Sequence, residues 1–159
     1  MRRRLLVCLL PFLAACSKTG KTPGAPSFSV SAVLNGTPTT FNAIITVDSV
    51  STPGTVYIVA HSDSANLTPL FEITLAAGHP LKPGTYTSAD STGGNLGLIG
   101  YTGWQGGSAN QYTLLSDTVN LTTVNKAWFS GSFQGTCEYG VDSILTVSNG
   151  QFTVGWAQH

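Results

Sequence analysis

Apolar and polar residues alternate with a period of two through most of the chain after residue 26. Residues 28–34 show this alternation first, and the segment closes with the turn-forming dipeptide Asn35-Gly36. A period of two is typical of a strand that buries one face and exposes the other. The opening segment therefore predicts a half-buried strand followed by a tight turn.

The same pattern recurs along the chain, interrupted by dipeptides rich in Pro, Gly and Asn. It predicts further strands at residues 40–47, 55–61, 69–76, 84–88, 96–101, 111–115, 118–124, 127–134, 143–148 and 151–157. Asn149-Gly150 separates two apolar runs, which predicts a two-residue hairpin. No segment shows a 3.6-residue apolar stripe. We expect an all-β domain, an antiparallel β-sandwich or small barrel of about 9–11 short strands.

The first sixteen residues have the layout of an export signal. Three arginines precede an apolar run that is too short to span a bilayer, and the run ends in Leu13-Ala14-Ala15-Cys16. This ending resembles the lipobox of bacterial lipoproteins, which implies cleavage before Cys16 and lipidation of its thiol. An ordinary cleaved signal is the alternative, since residues 13–15 also resemble an A-x-A site.

The predicted organisation is a signal peptide at residues 1–15, a lipidated cysteine with a polar spacer at 16–26, and one β-domain at 27–159. The lipid on Cys16 is then the expected membrane partner. Ser17 stands where enteric bacteria use Asp to retain lipoproteins in the inner membrane. We therefore expect an exported protein anchored in the outer membrane. The sequence does not predict which side of that membrane the domain lies on.

Charge and cysteine content limit the possible partners. Without residues 1–15, four lysines and seven acidic residues remain, a formal net charge of −3. So few cations disfavour nucleic-acid binding, which needs clustered Lys and Arg. Cys137 is then the single cysteine of the predicted domain, which excludes a disulfide within it. We expect this thiol to be a small buried hydrophobe, with a reactive or intermolecular thiol as the alternative.

All five aspartates are followed by Ser or Thr and then by a small aliphatic residue or Thr. The triplet resembles the acceptor of a general O-glycosylation system in one phylum of Gram-negative bacteria, which implies glycans on the central hydroxyls. The central residues are Ser49, Ser64, Ser91, Thr118 and Ser143. Alternatively, these aspartates cap backbone N–H groups in turns, as Asp-Ser and Asp-Thr often do.

Residues with catalytic potential are sparse. The histidines at 61, 79 and 159 show no metal-ligand spacing, and neither a Gly-x-Ser-x-Gly elbow nor a Ser-x-x-Lys motif occurs. The two glutamates, Glu72 and Glu138, lack the context of a glycosidase pair. We therefore expect neither an enzyme, a metal site nor a cofactor.

A glycine-rich segment at residues 93–107 is the strongest candidate for binding. It contains seven glycines, and its aromatic and amide side chains are expected on a flexible loop. Aromatic faces and amide donors are suited to a glycan or small amphiphile. The candidate residues are Tyr101, Trp104, Gln105 and Tyr112. Alternatively, these rings fill the end of the sandwich, as Phe129, Phe133 and Phe152 are expected to fill its core.

Four short motifs are spread over the predicted domain: Leu34-Asn35-Gly36, Leu81-Lys82-Pro83-Gly84-Thr85-Tyr86, Ser130-Gly131-Ser132-Phe133 and Val147-Ser148-Asn149-Gly150-Gln151-Phe152. In these motifs the chain resembles a family of small Gram-negative lipoproteins of the Bacteroidetes type. The resemblance implies an all-β domain closed by the last two motifs, and it implies no activity or site residue. Two functions remain open: a non-catalytic glycan- or amphiphile-binding lipoprotein, or a structural lipoprotein that contacts another envelope protein.

Overall fold

The computed structural model describes residues 26–49, 54–65, 69–89, 94–105, 108–140 and 143–156. These residues form ten strands and no helix, which confirms the all-β prediction. The strands are β1 Ser29–Leu34, β2 Thr37–Thr40, β3 Ile44–Ser49, β4 Thr55–His61, β5 Leu70–Ala76, β6 Gly84–Thr87, β7 Leu96–Gln105, β8 Ser108–Val124, β9 Trp128–Tyr139 and β10 Ser143–Gly155. Across this described part, no helix meets the length and hydrophobicity that crossing a bilayer requires.

The strands form two antiparallel sheets joined by β8. Sheet A has the order β2-β1-β10-β9-β8-β6, and sheet B has the order β3-β4-β5-β7-β8. Residues 108–112 of β8 pair with β7 in sheet B, whereas residues 113–124 pair with β9 in sheet A. Over the described residues the strand path runs from β2 to β3 without closing, so the fold is a sandwich rather than a barrel.

The core lies between the two sheets. In β1, β4 and β5 every second residue is buried, as expected for strands that turn one face inward. The largest fully buried side chains are Tyr86, Phe41, Phe71, Phe129, Phe152, Ile58, Ile73, Leu75, Val30, Val119, Val147 and Val154. Phe133 is 2% exposed and stacks on Phe71 with ring centroids 4.9 Å apart, which joins the aromatic residues of the two sheets.

Asn35-Gly36 forms the predicted tight turn between β1 and β2. Both residues have positive φ, 47° and 83°, as a two-residue turn of type I′ requires. At the opposite end of β1, the ring of Phe28 lies over Gly155 at the end of β10, within 2.6 Å of where a Cβ would stand. The start of β1 therefore marks the same end of the sandwich as the end of β10.

The hairpin predicted at Asn149-Gly150 is wrong, because β10 continues through both residues. The register with β9 shifts between Val147 and Gly150, so the dipeptide forms a β-bulge, with Asn149 at φ 50°. Gly150 is buried, and a Cβ there would lie 2.4 Å from the ring of Phe133. The glycine is thus required for close packing inside a strand. The closing hairpin implied by the family resemblance is corrected in the same way.

Three other predicted boundaries differ from the observed ones. The strand expected at residues 40–47 is β3, which begins at Ile44, whereas Thr40 ends β2 and the fully buried Phe41 lies between the two strands. The strands expected at 111–115 and 118–124 are one strand, β8, with a register shift between Leu114 and Ser116. The expected flexible loop around Tyr101 and Trp104 is also wrong, since β7 extends through Gln105.

Candidate functional site

A cleft opens where β7 separates from β8. The ladder between these strands covers residues 101–105 of β7 alone, and residues 96–102 of β7 pair with β5 on the other side. Beyond Tyr112, β8 turns away to pair with β9 in sheet A. Two neighbouring strands that diverge in this way leave a gap beside β7, at the junction of the two sheets.

The cleft has a volume of about 390 Å³ and a mixed polar and apolar lining. Its lining residues are Glu72, Thr74, Leu98, Ile99, Gly100, Gln111 and Tyr112. The Glu72 carboxylate lies over Gly100, since a Cβ at this glycine would be 3.2 Å from Oε2. The absence of a side chain at Gly100 therefore leaves room for the acid at the cleft wall.

Tyr112 belongs to a line of aromatic rings that runs from the core to the surface. Tyr101 is its cross-strand partner, with ring centroids 5.6 Å apart, and the ring of Tyr139 lies 5.8 Å from that of Tyr112. Tyr101 also contacts the buried rings of Phe41 and Phe71 at 6.3 and 6.4 Å. Such tilted pairs hold each ring in place, so Tyr112 is a fixed wall of the cleft.

Tyr101 is half-buried and faces the core. Its ring covers Gly103, where a Cβ would come within 2.6 Å of it. Burial, and next the neighbouring Tyr112, raise the pKa of the Tyr101 hydroxyl above its ordinary value of 10.0. Tyr101 thus matches the alternative interpretation, in which the rings fill the end of the sandwich. Its ring also packs against the ring of Tyr112.

The other two predicted binding residues lie at the far end of β7. Trp104 pairs with Ala109 and Gln105 with Ser108, next to the connection between β7 and β8. Of the four predicted binding residues, Tyr112 lines the cleft. Sequence reasoning missed Glu72 and Thr74. The alternation of β5 places both opposite the buried Phe71 and Ile73, but it does not show that β7 and β8 separate beside them.

A buried carboxylate lies in the interior near the point where the sheets divide. Asp117 is 7% exposed, and its Oδ1 accepts a hydrogen bond from the Ser88 backbone N–H at 2.9 Å, while its own N–H donates to Ser88 Oγ at 3.3 Å. Its Oδ2 has no hydrogen-bond partner among the described residues. Burial raises the pKa of Asp117 above its ordinary value of 3.8, and the hydrogen bonds from Ser88 oppose this shift.

Cys137 is fully buried, as predicted for a small hydrophobe. Burial raises the pKa of its thiol to about 11, and the nearby Asp117 adds to the shift. Because the thiolate is the reactive form, this cysteine is protonated and inert near neutral pH.

The proposed glycan acceptors differ in their surroundings. Ser64 is exposed in the turn after β4, where Asp63 Oδ1 accepts a hydrogen bond from the Ala65 N–H at 2.8 Å. This bond is the backbone cap that the alternative interpretation predicts. It does not involve the hydroxyl of Ser64, and Ser64 is exposed. Thr118 lies in the middle of β8 and is partly exposed, and the partly exposed Ser143 begins β10.

The remaining predicted residues are located as follows. Ser49 ends β3, while Ser91 and Cys16 lie outside the described residues. Within the described ranges, no group of three or more His, Cys, Asp or Glu side chains could hold a metal ion.

The fold and the cleft define the chain as an all-β sandwich domain with an open groove at its sheet junction. No protein-family model, curated protein or solved structure matches the chain.

Proposed function

We propose that the chain is an exported lipoprotein whose β-domain binds a glycan without catalysis, in the cleft between β7 and β8. One observation carries the proposal: a tyrosine, a carboxylate, a hydroxyl and an amide all line an open cleft of about 390 Å³. The groups are Tyr112, Glu72, Thr74 and Gln111. An aromatic ring packs against the C–H face of a sugar, and the polar groups pair with its hydroxyls.

The charges around the cleft favour a neutral or amino sugar. Glu72 is the ionisable carboxylate of the lining, and no lysine or arginine lines the described cleft. Both lysines of the described residues, Lys82 and Lys126, lie outside it. A carboxylate accepts hydrogen bonds from hydroxyls or an ammonium group and repels another anion. We therefore expect uronic acids and sulfated sugars to be excluded.

A glycan array probed with the full chain tests this proposal. We expect binding to neutral or amino oligosaccharides and about tenfold weaker binding for Tyr112→Ala, because the variant removes the stacking face. Trp104→Ala tests the second predicted aromatic residue on the same array.

Phe28→Ala is the matched control, since Phe28 is 47% exposed and lies at the opposite end of the sandwich. Its binding should equal that of the unmodified chain. No binding across a broad array, or an equal loss for Tyr112→Ala and Phe28→Ala, would refute the proposed cleft.

A second candidate function is contact with another envelope protein. Leu115 and Ile144 are 50% and 59% exposed, and both lie at the end of sheet A near Tyr139. Exposed apolar side chains at one end of a sheet are typical of protein contacts. An empty glycan array, together with the loss of a defined cross-linked envelope protein in a Leu115→Ser/Ile144→Ser variant, would favour this function.

A further inference from the structure

The outer face of sheet A carries uncharged polar side chains in register across six strands. One row runs from β6 through β8, β9, β10 and β1 to β2, with each residue paired to the next. Its members are Thr85, Asn120, Ser132, Gln151, Ser31 and Thr40. At the usual separation between strands, this row is roughly 24 Å long.

The neighbouring rows have the same chemistry. Thr118 pairs with Gln134, and Ser116, Thr136 and Thr146 form the row beyond them. None of the residues in these rows is ionisable, and the row beyond Thr136 holds the carboxylate of Glu138. We call these outward side chains of sheet A, together with the six-strand row, the neutral face.

A shallow groove of about 350 Å³ lies on the neutral face. Its lining residues are Ser116, Asp117, Thr118, Gln134, Gly135, Thr146, Val147 and Ser148. Five of these eight carry a hydroxyl or an amide that lies on the outward side of the sheet. The groove therefore offers hydrogen-bonding groups along its length.

Many of these groups are free to bind. Within the described part of the chain, the side chains of Thr118, Ser132, Gln134 and Gln151 have no hydrogen-bond partner. Others are fixed by their neighbours: Ser116 Oγ and Thr136 Oγ1 are 2.8 Å apart. The face thus combines positioned hydroxyls with unpaired donors and acceptors.

We propose that the neutral face binds an extended, uncharged polysaccharide that lies across the strands. Hydroxyl and amide groups both donate and accept hydrogen bonds, which matches a polyol. The rows carry no lysine or arginine, so the face offers no attraction to an anionic polymer, and Glu138 in the next outward row and the largely buried Asp117 of the groove would repel one. It also lacks the aromatic and apolar centre that protein interfaces use. This proposal does not depend on the cleft, because the face and the cleft lie on different sheets.

Native affinity electrophoresis of the full chain tests the proposal. Gels contain hydroxyethylcellulose, xylan or dextran as neutral polymers, and alginate as an acidic one. We expect retardation in at least one neutral gel and none in alginate. The variant Gln134→Ala/Thr146→Val removes two groups of the groove and keeps Thr118, so any modification of Thr118 is the same in both chains. We expect its affinity for the polymer to fall at least fivefold.

The matched control is Thr46→Val/Thr102→Val, which removes two hydroxyls from sheet B and should leave retardation unchanged. Retardation should also persist in Tyr112→Ala, which separates this face from the cleft. Mobility unchanged in every neutral gel, equal retardation in alginate, or equal losses in the groove and control variants would overturn the proposal. Loss of retardation in the Tyr112→Ala variant alone would also overturn the proposal, because it would assign polysaccharide binding to the cleft.

Discussion

Among the described residues, Asp117 is the acidic side chain that is buried. Its carboxyl is buried with one oxygen unpaired, and burial holds its pKa above the ordinary value. Between the unfolded and folded pKa values the native state keeps a proton that the unfolded state has released. The contribution of Asp117 to stability therefore decreases as pH rises through this window.

Asp117→Asn should increase the free energy of unfolding at pH 7 by about 1 kcal/mol, since it removes a buried charge and keeps an oxygen for the Ser88 N–H. Well below pH 3.8, the ordinary pKa of the residue, Asp117 is protonated in both states, and the difference from the unmodified chain should disappear. Urea unfolding at both pH values measures this.

Asp48→Asn is the control for that experiment, because Asp48 is exposed on β3. It should change stability by less than about 0.5 kcal/mol at either pH. A less stable Asp117→Asn variant at pH 7, or a difference that persists in acid, would contradict the role of burial.

At the scale of single residues, the sequence predicts the burial of Cys137 and selects Tyr112, which lines the cleft, but it does not predict the cleft itself. Alternation in β5 separates Glu72 from the core, yet β7, one of the two partner strands of β5, is distant along the chain. Which residues of β5 and β7 face each other depends on this non-local pairing, which a local period of two does not encode. The missing part of the site is therefore the junction of the sheets.

Among the elements, β10 contains the dipeptide Asn149-Gly150, which predicts a hairpin but forms a β-bulge. Asn-Gly favours positive φ, which suits both a two-residue hairpin and a bulge. The buried position of Gly150 against the Phe133 ring decides between them. The positions of β1, β4, β5 and β6 follow from alternation in the sequence. The continuity of β8 and β10 follows from pairing instead: both strands pair with β9, and on their other sides β8 pairs with β6 and β10 with β1.

Gly150→Ala should lower the free energy of unfolding by about 2 kcal/mol, because its Cβ would overlap the ring of Phe133 in a packed core. Chemical denaturation measures the change. Gly78→Ala is the control: this exposed glycine has no heavy atom within 4 Å of the added Cβ and no positive φ. Equal stability of the two variants would contradict the packing role assigned to Gly150.

For the whole molecule, the proposed lipid anchor determines where the domain operates. Cys16→Ser removes the thiol that the lipobox-like sequence presents, so we expect the chain to lose its lipid and leave the membrane fraction. Metabolic labelling with a fatty acid and fractionation of the cell measure both effects. Cys137→Ser is the comparison, since it changes a cysteine outside the signal. Labelling that persists in Cys16→Ser would contradict lipidation at that residue.

The position of Phe28 beside Gly155 indicates which end of the sandwich lies nearest to the proposed lipid anchor. Val124 pairs with Phe129 at this same end, and Tyr112 lies twelve residues back along β8, a rise of roughly 40 Å. A lipid on Cys16 would hold the sandwich by the Phe28 end. The row through Asn120 would then lie nearer to the site of lipid attachment than the cleft does, and so nearer to any polymer at the membrane surface.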